Sequence, residues 1–485
     1  MQFGVVSGKM RPYSYVYCWA LPGRFPVSSA SFSSLSLKPE LLSNLDSLGY
    51  KEMTPIQAQS LPHILEGKDV IGKAKTGSGK TAAFALGLLN RLEVKRFRIQ
   101  VLVMCPTREL ADQVSKEIRR LARAVHNIKV LTLCGGMSMG PQIGSLEHGA
   151  HIVVGTPGRL LKHIEKGRLK LDDITTLVLD EADRMLDMGF RDDIRHIADQ
   201  MPANRQTLLF SATYPSEIKA LSAQFQNQPV NVSVEAVHSE QNISQLFYQI
   251  EKHERVKTLM ALLTHHCPQS TVIFCNTKRQ TQDVADELQA NGFHALAIHG
   301  DLDQKERDQV LIRFSNQSSS ILVATDVAAR GLDIKDLEAV INFELSRDPE
   351  VHVHRIGRTG RAGQEGMALS MYTHSESYKL EEIENYINKP LSWADPEDLT
   401  YGGEQVKPPM VTLQIDGGKK SKVRPGDILG ALTGDHGIEG SHVGKIDIFP
   451  FHAYVAVKRA SANRALKSLE KGKIKGRNFK VRKLR

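Results

Sequence analysis

Asp69-Val70-Ile71-Gly72-Lys73-Ala74-Lys75-Thr76-Gly77-Ser78-Gly79-Lys80-Thr81-Ala82-Ala83-Phe84-Ala85-Leu86 decides the fold. A short apolar run, a glycine-rich turn and an alanine-rich stretch follow one another, which predicts strand, loop and helix. Gly77 and Gly79 let backbone N–H groups approach a phosphate chain, and the helix start beyond them favours an anion. Lys80 brings positive charge to the β and γ oxygens, and the Thr81 hydroxyl is placed to ligate magnesium. The general pattern has glycine where Ala74 stands, a departure that leaves the cradle of Lys75, Thr76 and Ser78 intact. The sequence therefore predicts a parallel α/β sheet that binds its ligand beyond the carboxyl ends of its strands.

About 100 residues downstream of Lys80, the apolar run Leu177-Val178-Leu179 ends in Asp180-Glu181-Ala182-Asp183. Unbroken Val and Leu are expected of a strand buried on both faces, so these acids sit where ligands bind. Taken alone they could also serve as an acidic helix start. Paired with a phosphate loop they gain a task, because phosphoanhydride hydrolysis needs a metal ion and an oriented water. Asp180 suits the metal, most simply through a water, and Glu181 suits the attacking water. Asp183 is left to link the site to other segments.

Further short apolar runs at Val101–Met104, Ile152–Val154, Leu208–Phe210, Val272–Phe274, Ile321–Val323 and Met367–Met371 alternate with helix-period stretches. That alternation predicts parallel sheets with crossover helices. Two halves echo each other. Cys105-Pro106-Thr107-Arg108 follows one strand as Cys275-Asn276-Thr277-Lys278 follows another, and Gly155-Thr156-Pro157-Gly158-Arg159 has a looser counterpart in Ala324-Thr325-Asp326. The polar, strand-poor stretch 226–245 is expected to join two α/β domains, 32–235 and 243–389, and the Pro- and Gly-rich stretch 390–408 to be a second linker. Residues 409–485 then read as a small βαββα module with a final strand near Phe479–Val481.

The chain of 485 residues carries a formal net charge of +9. Residues 411–485 hold 17 Lys and Arg against 6 Asp and Glu, so the positive charge belongs to the last module and its partner should be a polyanion. No apolar run approaches the length of a membrane span. The five cysteines show no C-x-x-C spacing, which argues against a structural zinc site or disulfide framework and for a reducing, cytoplasmic setting. Residues 1–31 read as a disordered extension, Ser-rich and without Asp or Glu but too poor in Arg for a transit peptide.

The tetrad and its companions resemble the DEAD-box RNA helicases over roughly residues 32–375. Met53-Thr54-Pro55-Ile56-Gln57 is similar to the family's adenine-reading Q motif, with Phe32 at the place of its upstream aromatic. Ser211-Ala212-Thr213 resembles the motif that couples hydrolysis to strand separation. Ala328-Ala329-Arg330-Gly331-Leu332-Asp333 and His354-Arg355-Ile356-Gly357-Arg358-Thr359-Gly360-Arg361 resemble its fifth and sixth motifs. The resemblance implies that Asp333 contacts the nucleotide and that Arg358 and Arg361 are arginine fingers for the γ-phosphate. It also implies RNA contacts at Thr107, Arg108, Gly136, Thr156, Arg159, Asn276, Gln304, Arg307 and Thr325.

The final module resembles the RRM-like tail of a bacterial branch of this family that recognises a hairpin of 23S ribosomal RNA. The resembling residues are Ile415-Asp416-Gly417-Gly418-Lys419-Lys420, Arg424-Pro425-Gly426-Asp427 and Lys473-Ile474-Lys475-Gly476. Leu413, Ile415 and His452 stand where an ordinary RRM has stacking aromatics, and Tyr454 could be a core or a stacking residue, so RNA binding through another basic surface, including Lys473 and Lys475, is expected. The expected protein has two tandem RecA-like parallel-sheet domains followed by a small α+β RRM-like domain. Its expected function is ATP- and Mg2+-dependent unwinding of 23S rRNA during large-subunit assembly, as a monomer and away from membranes. An ATP-gated RNA clamp without unwinding, or a helicase with a non-ribosomal target, are the alternatives.

Overall fold

Every apolar run named above becomes an interior strand. The computed structural model describes residues 31–74, 77–214, 216–234, 243–329, 337–360, 365–403, 405–434 and 437–484. Lys75, Thr76, Arg330, Asp333, Arg361, Cys18 and the expected extension up to residue 30 lie outside the described residues. The first sheet comprises β1 (Val70–Lys73), β2 (Val101–Met104), β3 (Val130–Leu133), β4 (Ile152–Gly155), β5 (Thr176–Asp180), β6 (Gln206–Ser211) and β7 (Val230–Ser233). Its order is β3-β4-β2-β5-β6-β1-β7, parallel throughout. Parallel pairing needs crossover connections, and the helices that provide them bury both faces. Val178 enters one apolar layer with Phe84 and Phe210, while Leu177 and Leu179 enter the other with Met185 and Leu209. Only glycine fits at position 72 in β1, since a Cβ there would meet the Phe210 ring at 2.5 Å.

The second sheet comprises β8 (Ile243–Gln249), β9 (Thr271–Cys275), β10 (Ala295–Ile298), β11 (Ile321–Thr325), β12 (Ala339–Asn342), β13 (Gly366–Tyr372) and β14 (Trp393–Ala394). Its order, β10-β11-β9-β12-β13-β8-β14, repeats the first sheet position by position and is again parallel. β9 thus stands where β2 stands and β11 where β4 stands, so the two sequence echoes mark equivalent strand ends. Two stretches that read as connectors supply strands instead. Residues 226–245 contain β7 and the start of β8, and β14 lies inside 390–408, pairing Trp393 with Phe247. Both β7 and β14 are edge strands, which need apolar cover on fewer sides and so lack the sequence signal of an interior strand.

The third sheet comprises β15 (Met410–Ile415), β16 (Val443–Ile448), β17 (Ala453–Lys458) and β18 (Val481–Lys483), antiparallel in the order β16-β17-β15-β18. Helices Pro425–Thr433 and Ala462–Lys471 cover one face over Leu413, Ile415, Val455 and Val457. The last strand falls two residues later than the sequence suggests, because Phe479 occupies the space beside Gly417. Among the described residues no helix is long and apolar enough to cross a membrane. Cys105, Cys134 and Cys275 are buried free thiols, while Cys267 is exposed.

Candidate nucleotide and RNA interface

The phosphate loop leaves β1 and enters the helix Lys80–Arg91. Gly77 and Gly79 have φ of 86° and 95°, a region that disfavours side chains. A Cβ at Gly79 would also lie 2.6 Å from Gln57 Nε2. Gln57 is buried; its Oε1 accepts from the Thr54 N–H at 2.9 Å and its Nε2 donates to the Gly79 carbonyl at 3.1 Å. Each end of the amide keeps one further hydrogen-bonding capacity, enough for one purine edge. Phe32 is packed into the domain core, edge-on to Tyr50 at 6.1 Å, and its segment is tied to the stretch before Gln57 by the Ser31–Glu52 bridge. Lys80, only 6% exposed, donates to the Ala74 carbonyl at 2.8 Å. Among the described residues Ser78 Oγ and Thr54 Oγ1 are buried without a hydrogen-bond partner, and Thr81 is half-buried in the first helical turn.

Asp180 ends β5 at 3% exposure, and burial pushes its carboxyl up to about 7 against the pull of Lys80. A divalent cation beside it would restore the carboxylate. Among the described residues no group of three or more His, Cys, Asp and Glu could hold a metal by itself. One carboxylate and one hydroxyl, Asp180 and Thr81, nevertheless fit magnesium, which keeps its waters and shares substrate phosphates.

Glu181 adopts a left-handed φ of 54°, so its side chain leaves the line of the strand before the helix Ala182–Asp187 begins. Arg184 Nη1 donates to Glu181 Oε2 at 2.7 Å, and both side chains are buried. The i,i+3 spacing on a helix start was the only sequence signal for this pair. Asp183 faces away. Its Oδ2 accepts from the N–H groups of Ala212 and Thr213 at 3.2 and 3.1 Å and from Thr213 Oγ1 at 3.0 Å. The Asp183 N–H donates to Ser211 Oγ at 3.4 Å, and the Ala74 N–H donates to the Ser211 carbonyl at 3.0 Å. Burial opposes ionisation of Asp183, but Arg184, Lys80 and Ser211 outweigh it and hold the carboxyl below its ordinary range. Phosphate loop, acidic tetrad and Ser211–Thr213 are therefore one bonded unit across β1, β5 and β6.

The expected RNA residues gather at strand ends of both domains. Arg108 lies over Gly136, whose φ of 68° and lack of Cβ make room for it; a Cβ would sit 2.1 Å from Arg108 Nη1. Thr107 caps its helix by accepting from the Leu110 N–H at 3.3 Å. Thr156 Oγ1 accepts from the Gly135 N–H at 3.4 Å, and Arg159 donates to the Met137 carbonyl at 3.0 Å. In the second domain Thr325 Oγ1 accepts from the Ala328 N–H at 3.3 Å, and Gln304 donates to Asp308 at 2.6 Å. Arg307 spans the two domains, donating to Glu109 Oε1 at 2.7 Å and to the Ala328 carbonyl at 2.8 Å. Asn276 is bonded through both its backbone and its side chain. Its amide turns inward, donating to the Leu345 carbonyl at 3.1 Å and accepting from Arg355 at 2.9 Å, and its N–H donates to Glu344 Oε2 at 3.1 Å. Arg358 is 8% exposed, just past the helix Pro349–Ile356.

In the third domain the sheet face opposite its helices is covered. Thr412 and Gln414 are fully buried, and Tyr454 is 5% exposed. Thr412 Oγ1 meets Ser318 Oγ at 2.7 Å and accepts from Asn316 Nδ2 at 3.2 Å, while Tyr454 lies beside the Gln309 side chain and packs edge-on to Phe449 at 5.5 Å. Helix Gln304–Ser315 and the turn after it thus occupy the face an ordinary RRM gives to RNA. Lys419, Lys420, Lys422, Lys473 and Lys475 are exposed on two neighbouring loops, joined by a 3.0 Å bond from Lys475 Nζ to the Lys422 carbonyl. Lys420 lies 4.3 Å from the ring of Phe451, which is 60% exposed.

Three family models match in order: DEAD/DEAH box helicase over residues 54–221, helicase conserved C-terminal domain over 251–363, and DbpA RNA binding domain over 412–483. ATP-dependent RNA helicase DbpA of Escherichia coli is 54% identical over 456 residues, covering 94% of this chain and 100% of the relative. The chain belongs to the DEAD-box ATP-dependent RNA helicases. A second DEAD-box relative, CshA of Geobacillus kaustophilus, is 42% identical over 388 residues, 80% of each chain. Among solved structures, this helicase is similar to Saccharomyces cerevisiae Dbp5 bound to RNA and ADP BeF3, with a TM-score of 0.69, 29% identity, and coverage of 76% of this chain and 97% of that one. As a DEAD-box helicase it uses ATP and binds RNA, and it carries a DbpA RNA-binding domain.

Proposed function

We propose that this helicase opens short duplexes in 23S ribosomal RNA while the large subunit is assembled, with its third domain holding a nearby hairpin. The observation that carries the coupling of ATP to strand opening is the Asp183 carboxylate, gripped by Ala212 and Thr213 while its neighbour Glu181 is held by Arg184. ATP binds across the first domain, with Gln57 reading the adenine edge beside the braced Phe32 segment and residues 74–81 cradling the phosphates. Thr81 and Asp180 would hold magnesium, which supplies charge neutralisation to the phosphates when bound. Glu181, fixed by Arg184, orients the attacking water. Arg358, with Arg361 and Asp333 by the same resemblance, completes the site from the second domain, so turnover requires the two domains to meet.

RNA lies along the strand ends that carry Arg108, Gly136, Thr156, Arg159, Gln304, Arg307 and Thr325, held mainly by phosphate contacts that tolerate sequence. Selectivity falls to the third domain. Its covered sheet face and its paired basic loops with Lys473 and Lys475 favour hairpin binding on the loop side. The protein works as a monomer in the cytoplasm. Strand displacement on a short duplex beside the ribosomal hairpin tests the reading: the intact chain should open it with ATP, while Ser211→Ala should hydrolyse ATP with little opening. ATP-dependent RNA retention without any opening by the intact chain would instead establish a clamp.

A further inference from the structure

Arg355 has no assigned role, yet it is the largest fully buried side chain of the described residues. All five of its N–H donors are used. Nε and Nη2 grip both oxygens of Asp326 at 2.7 and 2.8 Å, Nη2 also reaches Asn276 Oδ1 at 2.9 Å, and Nη1 reaches Asn342 Oδ1 at 3.2 Å and the Glu344 carbonyl at 2.7 Å. Its plane lies 5.1 Å from the centre of the Phe274 ring. One guanidinium therefore joins the ends of β9, β11 and β12 to the helix Pro349–Ile356, just past whose end Arg358 stands three residues after Arg355. Asn276 and Asp326 belong to the turns proposed to touch RNA. Asp326 also opens the short helix whose Ala328 carbonyl receives Arg307, the residue that crosses to Glu109.

We propose that Arg355 is a positioning residue that ties RNA engagement at the Asn276 and Thr325–Asp326 turns to placement of the Arg358 finger. The proposal rests on the ATP-coupled RNA opening proposed above. Linkage of this kind is reciprocal: if bound nucleotide tightens RNA, RNA tightens nucleotide by the same factor. Lysine keeps the charge but cannot span three strand ends, because it offers a compact ammonium instead of a planar fork.

The test measures RNA affinity with and without a non-hydrolysable ATP analogue in the full-length protein, for the parent, Arg355→Lys and Asn342→Ala. The parent should show tightening of about tenfold or more. Arg355→Lys should keep its RNA affinity without nucleotide and its affinity for a fluorescent ADP, yet lose the tightening, with a fall in kcat and little change in KM for ATP. Asn342→Ala, which removes one bond to Arg355 and one to Ser370 and neither from the RNA turns, should lower the melting temperature but keep the tightening. Should Arg355→Lys fail to fold, Asn276→Ser breaks the same link from the other side and should weaken the tightening at unchanged melting temperature. Full tightening in Arg355→Lys, or in Asn276→Ser where it replaces that variant, overturns the proposal alone, as does equal loss of tightening in Asn342→Ala. A parent whose RNA affinity ignores the analogue removes the ATP-coupled reading and this proposal with it.

Discussion

At the scale of single residues, the tetrad divides its labour by direction. The left-handed backbone at Glu181 sends Glu181 toward Arg184 and lets Asp183 face Ser211–Thr213. Glu181→Gln should cut turnover roughly a thousandfold while leaving ATP and RNA binding within a few-fold, as steady-state kinetics and titrations would show. Arg184→Ala should lower turnover too, and it should destabilise the first domain by about 3 kcal/mol in denaturant titration, because it strands a buried carboxylate. In the second domain Arg255 pairs with Glu376 and also donates to the Phe343 carbonyl, with both charged side chains largely buried. Burial opposes ionisation of Glu376, but the Thr373 N–H and Arg255 outweigh it and lower its pKa. A lowered acid contributes stability that is present above its unfolded value, about 4.5, and is lost as pH falls through the folded one. Glu376→Gln should therefore flatten the acid limb of the melting-temperature profile below pH 4.5. The positions of Asp180, Glu181 and Asp183 were legible in the sequence because an apolar run placed them. Arg184 and Arg355 were not, since a buried arginine and a solvated one read alike until the chain folds around them.

At the scale of elements, strands carried the clearest signal and glycines the most specific one. Interior strands such as β5 are apolar on both faces, which no other short element requires, whereas β7 and β14 have half-covered edges and read as linker. Gly136 shows how a turn is built for its neighbour: the space its missing Cβ leaves is filled by the Arg108 guanidinium. Gly136→Ala should displace Arg108 and weaken RNA binding about tenfold with ATP affinity unchanged, measured by fluorescence anisotropy and by nucleotide titration. The inward turn of Asn276 was beyond sequence reading, because the motif fixes the residue but the partner that claims its amide lies 79 positions away.

At the scale of the molecule, the third domain is seated on the second by polar contacts: Thr412 on Asn316 and Ser318, Tyr454 on Gln309, and Lys445 Nζ on Ser315 Oγ at 2.8 Å. The RRM-like module was legible from its element order and charge, but the occupant of its sheet face was not, because Thr and Gln on a strand suit water and another domain equally. A disulfide between Ser318→Cys and Thr412→Cys should leave hairpin affinity and RNA-stimulated ATPase within about twofold of the reduced protein, since RNA meets the basic loops instead. A large loss on oxidation would mean that the sheet face must open for RNA. In the proposed function the core supplies ATP-driven opening and the third domain supplies the choice of RNA. Its most direct test is ATPase stimulation by 23S rRNA against an unrelated RNA at equal nucleotide concentration, for the intact chain and for one lacking residues 409–485. The intact chain should prefer the ribosomal RNA by about tenfold or more and the shortened one should show weak, equal stimulation; equal stimulation of the intact chain by both RNAs would contradict the account.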